Sequence, residues 1–368
     1  MKDEDLLAFL ALNFLRYFDG NFVSALRLKS LVPSDLLSTP SLLKSFTSSE
    51  KVVTRWYEVL SKGLHLREFE MCKNMGIDVL AFGDEDYPSS LYRLFNPPLL
   101  LYWWGKLKAL GTAVAVVGTR RCSGYGRRIA GLLGLSLGRE GFATISGGAF
   151  GIDEACHEGT LKANGITVAV FGTGVDQFYP ARNGPLFERI REKGALVSEY
   201  PLETKGMPWN FPQRNRIIVG LADVVVVVEA PLKSGAMITG RIAMEHGIET
   251  WAVPGRIDEG VAKGSNLLIF DGAYPLVDVN SFIYLMKGSP QGFLVEDEDK
   301  KLEDLSSEEG HIYKILKERG DRTVDNIAGE CKMTPASVLE CLGKLKLRGL
   351  VAMTGPGRWG INEMTEGE

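Results

Sequence analysis

Ala113-Val-Ala-Val-Val-Gly-Thr-Arg-Arg-Cys-Ser-Gly-Tyr-Gly-Arg-Arg-Ile-Ala-Gly131 opens as an unbroken run of small and β-branched residues, then turns abruptly to glycine, serine and arginine. Such a run reads as a strand buried on both faces of a parallel sheet. Gly118 ends the strand, and Ser123-Gly124 lead into a helix beginning near Tyr125. A strand, a tight loop and a helix N-terminus together aim free backbone N–H groups at one point, which favours an anion. Arg120 and Arg121 in the loop, with Arg127 and Arg128 in the first helical turn, suit a site that receives phosphate. The same segment also fits a plain connection with solvated arginines.

A dinucleotide fingerprint is not formed here. Gly124 and Gly126 have the right spacing, but Ile129 stands where the third glycine belongs. The second strand should end in a carboxylate for the ribose hydroxyls; it ends Ala143-Thr-Ile-Ser-Gly-Gly148.

The 368 residues suffice for two or three domains. Hydrophobic residues make up 45% and charged residues 24%, an ordinary globular composition. The formal net charge of −4 excludes a general basic coat, so any nucleic-acid contact must be a local cluster. Cys72, Cys122, Cys156, Cys331 and Cys341 form no Cys-x-x-Cys pair, and their odd number suits a reducing cytosol. The opening Met1-Lys-Asp-Glu-Asp5 is no signal peptide, and no apolar run is long enough to cross a bilayer. A cytoplasmic location is expected.

Residues 1–64 show helical spacing, with breaks at Asp19-Gly20 and Val32-Pro33-Ser34. They read as a small helical module of SAM or helix-hairpin-helix type, nearly charge-balanced and suited to a scaffold role more than to direct DNA contact. Residues 65–285 read as an extended Rossmann-like, doubly wound α/β domain with a mostly parallel sheet. Its candidate strands are 113–118, 142–146, 166–171, 195–199, 223–229 and 249–253, alternating with helices. The aromatic run 99–104 adds a strand at the sheet edge, and its Trp103-Trp104 pair serves the core. The acidic, aperiodic stretch 286–305 is a linker. In residues 306–362 a capping box, Ser306-x-x-Glu309, starts one helix, Thr323 a second and Thr334-Pro335 a third. The hairpin at 350–361 then completes a winged helix-turn-helix. There Lys344, Lys346 and Arg348 could reach phosphates, although such units also bind proteins.

Ligands of open α/β sheets sit outside the carboxyl ends of the strands. Three or four loops there carry helix starts: Ser146-Gly-Gly-Ala-Phe-Gly-Ile-Asp153, the segment 172–183, Trp209-Asn-Phe-Pro-Gln-Arg-Asn-Arg216 before the fifth strand, and Lys233-Ser-Gly235. They bring Arg120, Arg182, Arg214 and Arg216 to one edge, which suits a phosphate chain more than a single phosphate. Catalysis is poorly supported. Asp153 and His157 share a helix face, but only four histidines are present. There is no Walker lysine, nucleophile elbow or zinc-helix motif. The pair reads as a helix-start cap with a structural hydrogen bond. No enzyme, metal or cofactor is expected.

With these segments in place, residues 85–280 closely resemble the DNA-processing protein A (DprA/Smf) family. The matching motifs include Val117-Gly-Thr-Arg120, Ser146-Gly-Gly-Ala-x-Gly-Ile-Asp153, Phe178-Tyr-Pro180, Ser198-Glu-Tyr-Pro201 and Asn210-Phe-Pro-Gln-Arg-Asn-Arg-Ile-Ile218. Further on come Glu229-Ala-x-x-x-Ser-Gly-x-x-Ile-Thr239, Ala252-Val-Pro-Gly255 and Gly264-x-Asn-x-Leu-Ile269. The resemblance implies a non-catalytic, dimeric protein that binds and protects incoming single-stranded DNA and loads the recombinase RecA during natural transformation. Single-strand-binding protein is a further implied partner, and no membrane is involved. The expected DNA-binding residues are Arg120, Ser146, Gly147, Gly148, Arg182, Arg214, Asn215, Arg216, Ser234 and Gly235. The helix Met237–His246 is one candidate dimer surface. Two departures stand out: Phe150 replaces a commonly basic or polar residue and offers a base-stacking face, as Tyr125 does. Arg182 lies one position beyond the family's frequent basic site, here Ala181. The competing reading, a Rossmann phosphoribohydrolase-like nucleotide-processing enzyme, lacks its Pro-Gly-Gly-x-Gly-Thr motif.

Overall fold

The Val224–Val227 strand is all valine and wholly buried because it lies in the middle of a sheet covered on both faces. The computed structural model describes residues 3–106, 110–287, 305–347, 350–355 and 357–361. The chain divides into two compact units, 1–277 and 278–368.

The first unit begins with helices α1 (Asp3–Asn13), α2 (Gly20–Leu28), α3 (Asp35–Ser38), α4 (Glu50–Ser61) and α5 (Leu64–Met75). Strands β1 (Asp78–Ala81), β2 (Leu100–Gly105) and β3 (Ala113–Val117) lead to α6 (Gly124–Arg139). Then alternate β4 (Ala143–Ser146), α7 (Ile152–Lys162), β5 (Thr167–Val170), α8 (Gly184–Lys193), β6 (Ala195–Ser198) and α9 (Asn210–Leu221). The unit ends with β7 (Val224–Val227), α10 (Gly235–Glu245), β8 (Glu249–Ala252), α11 (Lys263–Phe270) and β9 (Tyr274–Pro275).

These strands form one nine-stranded sheet in the order β1-β2-β6-β5-β4-β3-β7-β8-β9. All neighbours from β6 to β9 are parallel, with Val114 beside both Thr144 and Val224. Strand order reverses between β3 and β7, the topological switch point of a doubly wound sheet. The six expected strands are all present, each one to three residues shorter than read. The 99–104 strand is not the sheet edge: β2 pairs antiparallel with β6 on one side and with β1 on the other. Strand β1 is three half-buried residues and the buried Ala81, with no alternation, too weak a pattern to announce itself.

One hydrophobic cluster joins the helical segment to the sheet, from Phe9, Leu26 and Trp56 through Tyr102 to Val225. Trp103 is buried, and Trp104 stacks under Arg191, so the Trp-Trp pair does serve packing. On α10, Met237 and Ala243 are buried while Ile238 is exposed, so this helix spends most of its apolar face inside its own unit.

The second unit contains α12 (Val279–Met286), α13 (Ser307–Arg319), β10 (Arg322–Thr323), α14 (Val324–Cys331), α15 (Pro335–Leu347), β11 (Val351–Gly355) and β12 (Arg358–Ile361). Ser306 and Glu309 form the reciprocal capping box, and Thr323 caps α14 through the Asn326 N–H. The strands pair in the order β10-β12-β11. A separate cluster including Ile312, Leu316, Ile327, Val338, Leu342 and Trp359 packs the elements from α13 to β12. The acidic stretch 288–304, Arg348 and Pro356 lie outside the described residues.

Candidate nucleic-acid interface

The anion site expected at the start of α6 is already occupied. Ser123 caps the helix by accepting the Gly126 N–H at 3.0 Å, while the Glu229 carboxylate accepts the Ser123 N–H at 2.9 Å and its hydroxyl as well. Glu229 enters from the end of β7, across the switch point, and is buried. It packs so closely on Gly126 that a Cβ there would collide with the carboxylate. The place where a dinucleotide pyrophosphate would rest on the helix N-terminus therefore holds the protein's own negative charge.

One strand over, on the loops after β3, β4 and β5, lies a solvent-open recess of about 320 Å³. Arg120, Gly147, Ala149, Phe150, Tyr179, Pro180, Phe211 and Arg214 line it. The exposed Arg120 guanidinium lies over the Phe211 ring, 5.3 Å from its centroid. Phe211 and Tyr179 are 5.1 Å apart and tilted by 37°. Tyr179 is 48% and Phe150 38% exposed, so both aromatic faces are open to a ligand.

Arg214 is buried and forms part of the lining through its environment: it donates to the Gly147 carbonyl at 3.0 Å, to the Val170 carbonyl and to Asn215 Oδ1. Burial pushes its guanidinium down to about 10, with Asp153 acting in the opposite direction, so it remains a cation at neutral pH. Asp153 in turn accepts the Gly147 and Ala149 N–H groups at 3.1 and 3.3 Å. Gly147 lets these partners approach, since a Cβ would sit 2.6 Å from Arg214 Nη2 and 2.8 Å from Asp153 Oδ2 and would displace them. Gly148 takes φ +68°, and Asn183 holds its carbonyl at 3.2 Å.

The Asn210–Arg216 stretch, read from sequence as a loop, is instead the first two turns of α9, with Pro212 in the first turn where it is tolerated. Helical geometry separates the two arginines. Phe211 and Arg214 are three apart and share a face, whereas Arg216 is turned from Arg214 by roughly 200°. Arg216 binds the buried Glu199 carboxylate at 2.7 Å, away from the recess. Of the other expected residues, Ser146 is fully buried and donates to the Val116 carbonyl at 2.7 Å. Asn215 bridges α9 to α10 through the Gly235 carbonyl at 3.2 Å, and Ser234 caps α10. Arg182 is exposed on a short turn and does not line the recess. Neither does Tyr125, on the first turn of α6. The recess thus unites Arg120, Gly147 and Arg214 with Tyr179 and Phe211, two rings that site reading from sequence missed. Their signal was an aromatic residue directly before proline in both Phe178-Tyr-Pro180 and Asn210-Phe-Pro212.

Asp153 and His157 form no acid–base pair. The Asp153 carboxylate serves the Gly147–Ala149 turn, while His157 is fully buried with Nδ1 on Thr167 Oγ1 at 2.6 Å. Burial first, and the Arg214 charge second, push the imidazole down to about 3. Among the described residues no cluster of three or more His, Cys, Asp or Glu is placed to hold a metal, and no helix is long and apolar enough to cross a membrane.

Fold and site together define a doubly wound α/β protein with an open recess, built from arginine and aromatic side chains, at the carboxyl edge of the sheet. The sequence pattern of DNA recombination-mediator protein A matches residues 78–287, and the chain belongs to that family. It is 40% identical over 212 residues to protein Smf of Synechocystis, a match covering 56% of this chain and about half, 53%, of that relative's length. Among solved structures it is similar to DNA processing protein A of Streptococcus pneumoniae, with TM-score 0.60 and 34% identity over 66% of this chain and 83% of that one. It is also similar to DNA processing protein A of Helicobacter pylori, with TM-score 0.53 and 30% identity over 58% of this chain and 96% of that one. The latter structure describes a single-stranded DNA binding mode of the Helicobacter protein.

Proposed function

We propose that this protein binds single-stranded DNA, without catalysis, at the recess lined by Arg120, Phe150, Tyr179, Phe211 and Arg214. The observation that carries the reading is Arg120 poised over Phe211 beside the open Tyr179 ring. A guanidinium beside exposed rings is the chemistry that takes a backbone phosphate and an unstacked base together. The Helicobacter structure supports the same ligand class. The sealed His157 and the internally satisfied Asp153 support a binding rather than a catalytic role.

In this reading the protein mediates recombination in the cytoplasm, as a homodimer that protects incoming strands and loads RecA onto them, with single-strand-binding protein as a further partner. Residues 1–64 form the helical module, 65–285 the DNA-binding domain, 286–305 the linker and 306–362 a winged helix-turn-helix domain.

Parallel anisotropy titrations test the ligand class, using a single-stranded oligonucleotide, a duplex of the same length and a mononucleotide. The single strand is expected to bind at least about tenfold tighter than either competitor, a difference of about 1.4 kcal/mol. Equal affinity for duplex, or multiple turnover of the mononucleotide, would overturn the proposal.

A further inference from the structure

The connection from β6 to α9, residues 199–209, delivers Phe211 and Arg214 to the recess. The N-terminal helices grip its first half at several points. Asn13, the last residue of α1, and Arg16, three residues beyond it, donate to the Glu199 carbonyl at 3.0 and 2.9 Å. Arg16 Nη2 also lies 3.3 Å from Glu199 Oε2, and its guanidinium covers the Tyr200 ring at 4.2 Å. From α5, Glu68 accepts the Leu202 N–H at 2.7 Å, and Arg67 pairs with Glu203 at 2.9 Å. The Glu199 oxygen that meets Arg16 also receives Arg216 from the second turn of α9. Burial on its own would raise the Glu199 carboxyl; Arg216 and then Arg16 outweigh it and hold it below the usual carboxylate range. One buried carboxylate thus ties α1, the connection and α9 into a single junction. Removing both cations would leave an uncompensated buried charge, whereas removing one leaves Glu199 a single partner.

We infer that the N-terminal helical segment is part of the scaffold of the recess: Arg16, Glu199 and Arg216 are positioning residues that set α9 so that Phe211 and Arg214 line the site. Arg216 acts through Glu199 and not on a phosphate. The inference rests on the single-strand reading, with Arg120 as the direct phosphate contact.

The test uses the full-length chain and measures single-strand affinity against salt for wild type, Arg16→Ala, Arg216→Gln and Arg120→Ala. Each is measured well below its own melting temperature, with hydrogen exchange followed over residues 199–214. On a single strand, removing a side chain that neutralises one phosphate flattens the plot of log affinity against log salt by about 0.7. Arg16→Ala, whose side chain is one-third exposed, leaves the Arg216–Glu199 pair in place and is expected to fold. It should weaken binding about five- to tenfold at every salt concentration, with the slope unchanged and faster exchange in the first turns of α9. Arg216→Gln, where it folds, should behave likewise. Wild-type affinity in folded Arg16→Ala, or a flattened slope in either variant, would overturn the inference. An unchanged slope in Arg120→Ala would instead overturn the single-strand reading itself, so the two failures are distinguishable.

Discussion

Glu229 Oε2 accepts the Ser123 backbone N–H at 2.9 Å, so the carboxylate at the end of β7 closes the N-terminus of α6. The feature that most suggests a nucleotide-binding fold in the sequence, a glycine-rich turn into a helix, is satisfied from within. The open recess lies one strand across, at the Gly147 turn, where Arg214 and Asp153 bracket the backbone and Arg120 and the rings remain open.

Replacing Glu229 with Ala should destabilise the protein by about 1–3 kcal/mol, since two hydrogen bonds from the half-buried Ser123 to a charged acceptor are removed. Urea denaturation should record a lower midpoint with an unchanged m-value. The salt dependence of single-strand binding should stay as in wild type, because the carboxylate lies outside the recess.

His157 makes stability pH-dependent in a stated direction. Its imidazole titrates near 3 in the folded protein against an ordinary value of 6.5. Between those values the unfolded chain holds a proton that the folded one does not, so stability falls as pH drops below about 6.5. The slope approaches about 1.4 kcal/mol per pH unit for one such group. His65, also lowered by burial, adds in the same sense. Glu68 and Asp153, raised chiefly by burial, act in the opposite sense. The difference between wild type and His157→Gln isolates the one group: the variant should lose less stability between pH 6.5 and 5. Parallel curves for the two proteins would contradict the assignment.

Much of this was legible in the sequence, for identifiable reasons. The central strands are unambiguous, because runs such as Val224–Val227 have no polar alternation and can only be buried on both faces. The turn at Gly147 and the capping box at Ser306 are equally plain. What stays hidden depends on three-dimensional phase. Nothing in Arg214-Asn-Arg216 says that one arginine faces the recess and the other a carboxylate until the stretch is known to be helical. Nor does local pattern place Glu229 against Ser123, 106 residues away in sequence. The bond from Arg16 to Glu199 spans 183 residues and is equally invisible to periodicity.

Each compact unit holds its own buried cluster, so the core should survive without the C-terminal helices. A chain ending at residue 303 should fold and bind a single strand within about tenfold of the full-length protein, a loss under about 1.4 kcal/mol. Aggregation of this fragment, or a larger loss of affinity, would make the C-terminal unit an integral part of the site.

The most direct measurement is the salt dependence of single-strand affinity in wild type and Arg120→Ala. Arg120 is the exposed guanidinium lining the recess, while Arg214 is buried against backbone carbonyls and Arg216 is paired with Glu199. The wild-type slope should therefore be shallow, reflecting a few phosphates at about 0.7 each. Arg120→Ala should weaken binding to all sequences about equally and flatten that slope by about 0.7. An Arg120→Ala protein with wild-type affinity and an unchanged slope would contradict the account.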